Sequence, residues 1–273
     1  MEEVFSLGLL KSLSERFHLR PTREYGQNFL LSAQPIRSML AAAKITPSDT
    51  IVEVGPGFGV LTFALAEVSQ QVVAFEIEKK LLPYWEEKRP ENVKIIWGNA
   101  LTNWSKQSQD WGQFKLIANI PYQITARLLR TVLANERKPE LIIIMVQREV
   151  AERICAQPGK MSLLSASVQY YGQPRIITRV SKENFWPKPK VDSAVLGIFN
   201  IHGPEQEEEK NFFRLLRAGF SQPRKMLLNN LKGGLPLPVA VLRTALNQCG
   251  LDEKVRAETL SVTDWRALSK LLF

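Results

Sequence analysis

The sequence predicts an α/β fold, in which a large domain with a mainly parallel sheet is followed by a small all-helical domain. Two observations predict it. Apolar runs of strand length alternate with helical patterns up to residue 201, and the chain beyond that point carries helical patterns alone. Such alternation is typical of βαβ units, because a parallel strand needs a long crossover connection before the next one.

The elements follow from the spacing of apolar residues along the chain. Helical patterns between the strands begin at Val60 and Ala126, and a further helix lies around "LLSASVQYY". Two β-rich stretches, "PRIITRV" and "SAVLGIFNI", then predict an antiparallel hairpin that closes the sheet. The five predicted parallel strands cover residues 50–55, 71–77, 93–97, 114–120 and 140–147.

A change of composition at "HGPEQEEEK", residues 202–210, marks a domain boundary. A Gly-Pro pair and a run of acids there separate the β-rich part of the chain from the helical part. We therefore predict two domains, residues 1–201 and residues 202–273. The second is short, so we expect it to pack on the first.

The charge of the chain favours a polyanionic partner. Its 273 residues include 36 Lys and Arg against 27 Asp and Glu, a formal charge of +9. Such a charge steers association with phosphate backbones, although a basic enzyme without a nucleic-acid partner would show the same excess. Two distant cysteines and two histidines predict neither structural zinc nor a disulfide framework. With no secretory signal or membrane-spanning stretch evident, we expect a cytoplasmic protein that is not bound to a membrane.

A glycine-rich turn, "VEVGPGFG", follows the first predicted strand and opens a helix. Gly55, Gly57 and Gly59 allow the backbone to approach a ligand closely. The spacing is G-x-G-x-G rather than the G-x-G-x-x-G of dinucleotide sites, and Glu53 precedes the first glycine. An acid at this place disfavours a phosphate and suits a cationic ligand such as S-adenosylmethionine.

Two polar residues at the ends of the next strands extend this candidate site. Glu76 ends the second strand, where a carboxylate can accept hydrogen bonds from both hydroxyls of a ribose. NAD enzymes use the same arrangement, so Glu76 indicates an adenosine-type ligand without identifying it. Asn99 follows the third strand, where it could meet an adenine edge, although a turn residue would look the same.

The stretch "NIPY", Asn119 to Tyr122, ends the fourth strand and predicts chemistry at an amino group of a planar ring. Such a nitrogen is a poor nucleophile because its lone pair is delocalised into the ring. The Asn119 side-chain oxygen and the Ile120 carbonyl can accept hydrogen bonds from its two N–H groups. Pro121 fixes the backbone that carries the second acceptor. Tyr122 offers a face on which a base stacks. A turn with a core Tyr is the alternative.

Seven stretches in order resemble the KsgA-type ribosomal RNA adenine dimethyltransferases. The resemblance runs nearly end to end. It implies a Rossmann-like class I methyltransferase domain with a small helical C-terminal domain, and N6,N6-dimethylation of two adjacent adenines near the 3′ end of small-subunit rRNA. The stretches are "YGQNFL", "VEVGPGFG", "FEIEKKL", "IANIPYQIT", "MVQREVAERI", "FWPKPKVDSAV" and "FSQPRKMLLNNL".

The resemblance also implies roles for single residues. Asn28 and Leu30 match N-terminal contacts to S-adenosylmethionine; Gly55, Glu76 and Asn119 match further contacts of the family, Asn119 lying near both cofactor and target. Tyr122 looks like the stacking ring, and Phe185 is similar to the family aromatic on the other side of the target base. A departure from the pattern is Asn99, where the family usually carries Asp; we expect the Asn carbonyl oxygen to accept from adenine more weakly.

Several cations are expected to hold RNA through phosphate contacts. We expect the partner to be an immature small ribosomal subunit and the protein to act as a monomer. A large-subunit rRNA methyltransferase, a DNA adenine methyltransferase and a binding factor with secondary methylation are the alternatives. "FWPKPKVDSAV" and "FSQPRKMLLNNL" favour the small-subunit type. The cations assigned to RNA are Arg23, Arg148, Lys188, Lys190, Arg224 and Lys225.

Overall fold

A computed structural model describes residues 6–19, 21, 28–203 and 206–273. It divides into two compact units, residues 1–151 with 174–201, and residues 152–173 with 202–273. The strands are β1 Phe29–Leu30, β2 Thr50–Val54, β3 Gln71–Glu76, β4 Val93–Trp97, β5 Phe114–Asn119, β6 Ile142–Gln147, β7 Gln173–Val180, β8 Phe185–Trp186 and β9 Ser193–Phe199. The first helices are α1 Leu7–Arg16, α2 Ala33–Ala43, α3 Val60–Ala66, α4 Leu82–Lys88, α5 Ala100–Gln107, α6 Thr125–Leu133 and α7 Arg148–Ile154.

The main sheet has seven strands in the order β4-β3-β2-β5-β6-β9-β7. Strands β2 to β6 are parallel, and β9 runs antiparallel to β6. The five predicted parallel strands are confirmed, with small differences at their ends. The two β-rich stretches became β7 and β9, which are neighbours at one edge of the sheet.

The parallel strands form because they are nearly continuous runs of β-branched and other apolar residues, as expected for strands covered on both faces. Residues Ile142 to Val146 of β6 have no solvent exposure. In an open parallel sheet, ligands bind at the carboxyl ends of the strands where the strand order reverses. Here that point lies between β2 and β5.

A second, two-stranded sheet was not predicted. Strand β1 pairs antiparallel with β8, so that Phe29 faces Trp186 and Leu30 faces Phe185. The pairing joins the N-terminal segment to the stretch "FWPKPKVDSAV". Its strands are too short to be recognised from hydrophobic alternation.

The second unit contains the remaining helices, and it differs from the predicted domain of residues 202–273 by including residues 152–173. Tyr170 of this segment stacks on Phe212 at 3.9 Å between ring centroids, and the Tyr171 hydroxyl donates to Glu209 at 2.7 Å. These contacts bury aromatic area within the second unit, which accounts for its extent. Its helices are α8 Leu163–Tyr171, α9 Gln206–Gly219, α10 Leu227–Gly234, α11 Val239–Gln248 and α12 Val262–Leu272.

The described part of the chain holds no helix with the length and apolar character needed to cross a bilayer. The same residues hold no cluster of three or more His, Cys, Asp or Glu side chains that could bind a metal ion.

Candidate active site

The candidate site is a cavity of about 360 Å³ at the carboxyl ends of the central parallel strands of the first unit. It lies where the strand order reverses, which is the expected place for a ligand in this class of sheet. The turns after β2 and β5 both reach it because those strands are neighbours. The predicted residues that line it are Asn28, Leu30, Glu53, Gly55, Gly57, Glu76, Asn99, Asn119, Ile120, Pro121 and Tyr122.

The glycine loop between β2 and α3 adopts backbone angles that favour glycine. The φ angles of Gly55, Gly57 and Gly59 are +77°, +55° and +82°. A Cβ atom at Gly57 would stand 3.0 Å from Cε1 of Phe29. The positive φ and the nearby Phe29 ring together require glycine at position 57.

Glu76 connects the end of β3 to this loop. Its Oε2 atom accepts a hydrogen bond from the Gly57 N–H at 3.1 Å, and its Oε1 atom accepts one from the Glu78 N–H at 2.7 Å. Burial raises the pKa of Glu76, and these backbone donors oppose the shift. Each carboxylate oxygen can accept more than one hydrogen bond, so the group can still bind hydroxyl donors.

Glu53 is the most deeply buried acid of the site, with 1% of its surface exposed. Its Oε2 atom has no hydrogen-bond partner among the described residues. Burial raises the pKa of Glu53 to about 8; the Thr62 hydroxyl opposes the shift and the charge of Glu76 adds to it. A cation in the cavity would favour the charged form of this carboxyl.

Asn99 lines the cavity and also has a local structural role, which the sequence left open as an alternative. It is the N-cap residue of α5, and its Oδ1 atom accepts a hydrogen bond from the Leu101 N–H at 2.9 Å. The carbonyl oxygen that we expected to meet an adenine therefore already accepts one hydrogen bond, which leaves one lone pair for a ligand beside the amide N–H donors.

The turn Asn119 to Tyr122 faces the glycine loop across the cavity. The Asn119 Nδ2 atom donates to the Asn28 carbonyl at 3.4 Å, which leaves its Oδ1 atom without a hydrogen bond from the described residues. The Ile120 carbonyl accepts none of the turn and loop hydrogen bonds in the described part of the chain. Pro121 lies close to Gly55, with 3.7 Å between its Cδ atom and a Cβ placed on that glycine.

Tyr122 is half-buried in the cavity wall. Its hydroxyl lies 2.7 Å from Oγ of Ser193. Burial raises the pKa of Tyr122, and the hydrogen bond with Ser193 opposes the shift. The phenol is therefore neutral at physiological pH and its ring is an uncharged stacking surface.

Phe185 lies elsewhere than predicted. It is 3% exposed, belongs to the hydrophobic core and does not line the cavity. The reason is its pairing with Leu30 in the two-stranded sheet, which turns the ring into the core. A ring buried in this way has no free face for a base, so this conformation gives Phe185 a packing role.

The predicted RNA-binding cations are divided between the two units. In the first unit Arg148, Lys188 and Lys190 are exposed; Arg148 pairs with Asp192 at 3.4 Å, and Lys188 pairs with Glu183. In the second unit, the exposed residues Arg224 and Lys225 lie in the loop before α10. Arg23 lies outside the described residues.

Apolar residues of the cavity wall were missed from the sequence. Phe29 and Met145 line it from β1 and β6, and Ile77 lines it directly after Glu76. The Ile77 side chain is 45% exposed, which is unusual for a large apolar residue at a strand end. Its position next to the acid was the signal that could have identified it.

Comparisons with known proteins show the family of the chain. A model of the ribosomal RNA adenine dimethylase family matches residues 19–272. A relative from Dehalococcoides mccartyi, named ribosomal RNA small subunit methyltransferase A, is 40% identical over 265 residues, which covers 94% of this chain and 90% of the relative. A protein of the same name from Moorella thermoacetica is 36% identical over 291 residues and covers 100% and 99% of the two chains.

Solved structures support the fold. The 23S rRNA methyltransferase ErmE superposes with a TM-score of 0.73 at 24% identity, covering 90% of this chain and 99% of its own. A dimethyladenosine transferase from Plasmodium falciparum gives 0.71 at 23% identity, covering 88% and 95%. The predicted Rossmann-like α/β fold with a helical C-terminal part is thus confirmed. From the family match over most of its length, the chain belongs to the ribosomal RNA adenine dimethylase family.

Proposed function

We propose that this protein transfers methyl groups from S-adenosylmethionine to N6 of two adjacent adenines in the 3′-terminal hairpin of small-subunit rRNA during ribosome assembly. A single observation carries the proposal. The cavity of a chain from this family combines a glycine loop, two buried acids and the turn Asn119 to Tyr122 on neighbouring strands.

The residues of the cavity fit S-adenosylmethionine. The glycine loop brings its backbone to the cavity wall, and the buried Glu53 carboxyl has an oxygen without a partner among the described residues. That oxygen suits the positive charge of an amino group or a sulfonium. Glu76 suits a ribose, since it lines the cavity and each of its oxygens accepts one backbone hydrogen bond and can accept another.

The turn after β5 suits the adenine. S-adenosylmethionine, when bound, would supply an electrophilic methyl group, and the break of its sulfur–methyl bond would leave the neutral thioether S-adenosylhomocysteine. The Asn119 Oδ1 atom and the Ile120 carbonyl accept hydrogen bonds from the N–H groups of N6 and so localise the lone pair of that nitrogen. The ring of Tyr122 stacks on the base. The proton that N6 must lose passes to water, so we assign no residue as a general base.

The choice of the small subunit rests on the curated relatives. Those at 36% and 40% identity carry the small-subunit name over nearly their whole length. The likeness to a large-subunit methyltransferase is below 25% identity and supports the fold alone. We propose that the partner is an immature small subunit, held by exposed cations of both units, and that the protein acts as a monomer in the cytoplasm.

The test is a methyl-transfer assay with labelled S-adenosylmethionine and three substrates: immature small subunits, large subunits and duplex DNA. We expect label in small-subunit rRNA alone, mapped to two adjacent adenines as dimethyladenine, and none with Asn119→Ala. Label on large subunits would favour the alternative of a large-subunit rRNA methyltransferase. Tight binding of small subunits with no methyl transfer would contradict the proposal.

A further inference from the structure

The hydroxyls of Tyr122 and Ser193 form a hydrogen bond that links two motifs far apart in the sequence. Their oxygen atoms lie 2.7 Å apart, across a sequence separation of 71 residues. Tyr122 belongs to the turn after β5, and Ser193 lies within the stretch "FWPKPKVDSAV". The bond therefore joins the wall of the cavity to a strand that does not itself line the cavity.

Ser193 is held rigidly. It is the first residue of β9, has no solvent exposure and pairs with Gln147 in the antiparallel ladder with β6. Close packing around a fully buried serine restricts the rotamers that its side chain can adopt. Its Oγ atom is consequently a fixed point for the end of another side chain.

The other end of Tyr122 is fixed separately. The Thr125 Oγ1 atom donates a hydrogen bond to the Tyr122 carbonyl at 3.1 Å, and the Ile124 N–H donates to the Pro121 carbonyl at 3.2 Å. With the backbone held by the turn and the hydroxyl held by Ser193, the ring between them has little freedom to swing.

We propose that Ser193 is a positioning residue, which holds the ring of Tyr122 in the orientation that receives the target adenine. The inference rests on the proposed function, because it deepens the role given there to Tyr122. A stacking ring that is already oriented need not be ordered when the base arrives, and small errors in the position of a reacting group lower the rate strongly.

The alternative is a purely structural role, in which the two hydroxyls form a hydrogen bond because both are buried. The experiment separates this structural role from the positioning role. The variants are Ser193→Ala, Tyr122→Phe, which keeps the ring, and the double variant. Ser108→Ala is the matched control: Ser108 has no solvent exposure, bonds to Asn135 at 3.3 Å and lies outside the cavity. The measurements are kcat and KM with small subunits, the Kd of S-adenosylmethionine, and Tm.

We expect Ser193→Ala and Tyr122→Phe each to lower kcat roughly 10- to 100-fold, with the Kd of S-adenosylmethionine changed by less than about twofold. The double variant should be no slower than the single ones, because all three remove one bond. Ser108→Ala should lower Tm by about as much as Ser193→Ala does, while its kcat stays that of the wild type.

Two different outcomes would overturn the two proposals. An active wild type with unchanged kcat in Ser193→Ala, or with losses that multiply in the double variant, overturns the positioning role alone. A wild type that transfers no methyl group to small-subunit rRNA overturns the proposed function and the role of Ser193 with it.

Discussion

The Nε1 atom of Trp85 donates a hydrogen bond to the Gly57 carbonyl at 3.1 Å. The adjacent Tyr84 hydroxyl donates to the Phe58 carbonyl at 2.8 Å. Both rings come from α4 and are almost fully buried. One short helix therefore holds two consecutive carbonyls of the glycine loop and fixes the position of this part of the loop.

Replacing Trp85 with Phe should loosen this loop. The Gly57 carbonyl would lose its donor in a partly buried place, at a cost of about 1–3 kcal/mol in the free energy of unfolding. We expect this loss in urea denaturation, together with S-adenosylmethionine binding weakened several-fold in calorimetry. Trp104→Phe is the control, since Trp104 is fully buried and its Nε1 atom has no partner among the described residues. Equal weakening in both variants would contradict the role of the hydrogen bond.

The stability of the ligand-free protein should depend on pH through Glu53. The folded pKa is about 8 against an ordinary value of 4.5. Between these values the folded protein keeps a proton that the unfolded chain releases, so stability falls as pH rises through this window and stays low above it. The size of the fall is on the order of 5 kcal/mol at most, from about 1.4 kcal/mol per pKa unit.

The variant Glu53→Gln carries no charge and should remove this fall. We expect it to be more stable than wild type in urea at pH 8 to 9, with a smaller difference at pH 6. The exposed residue Glu91 supplies the control Glu91→Gln. Parallel stability curves for wild type and Glu53→Gln would show that the buried carboxyl does not titrate in this range.

The substitution Asn99→Asp should tighten cofactor binding. One carboxylate oxygen can cap α5 as the amide oxygen does now, and the second becomes available to an adenine amino group. A hydrogen bond to a charged acceptor contributes roughly 1.5 kcal/mol, which corresponds to about tenfold in Kd. Titration calorimetry with S-adenosylmethionine measures this change in Kd.

Asn103→Asp serves as control for Asn99→Asp, because it adds the same charge to α5 outside the cavity lining. An equal gain in both variants would indicate a general electrostatic effect. Unchanged or weaker binding in Asn99→Asp would exclude the direct contact.

Phe185 should behave as a core residue. Removing a buried ring leaves a cavity, so we expect Phe185→Ala to lose about 3–5 kcal/mol of unfolding free energy in denaturant titrations. Phe185→Leu keeps much of the volume and should lose less while retaining methyl transfer. A variant Phe185→Leu that is as stable as wild type but inactive would support a contact with the base and contradict the packing role.

RNA affinity should fall steeply with salt, partly through Arg224 in the exposed loop before α10. Arg224→Ala should lower the slope of log K against log salt by about one, if the side chain neutralises one phosphate. Binding of small subunits is measured by filter retention at several salt concentrations. Arg243→Ala is the control, since Arg243 Nε already lies 3.5 Å from a Glu253 oxygen; an equal change in both slopes would contradict a specific contact.

Features that depend on neighbouring residues in the chain were predictable. The parallel strands followed from apolar runs of strand length, and the glycine loop followed from residues whose conformation only glycine adopts readily. The cofactor side of the cavity could then be inferred, because the carboxyl ends of parallel strands meet at one edge of a sheet. Glu53, Glu76 and Asn119 line the cavity for that reason.

Features that depend on distant partners were not predictable in this way. The pairing of Leu30 with Phe185 and the grouping of residues 152–173 with the second unit are examples. An aromatic residue beside a proline-rich turn has the same local pattern whether its ring faces a ligand or the core. Packing against β1 decided the outcome for Phe185.

The sequence by itself determined the class of fold, the edge of the sheet that carries the site and the residue types of the turn from Asn119 to Tyr122, because all of these follow from local pattern. Only the tertiary structure decided how that turn is held. The bond between Tyr122 and Ser193 spans 71 residues, and it exists because β9 packs beside β6 and brings a buried hydroxyl to the end of the ring.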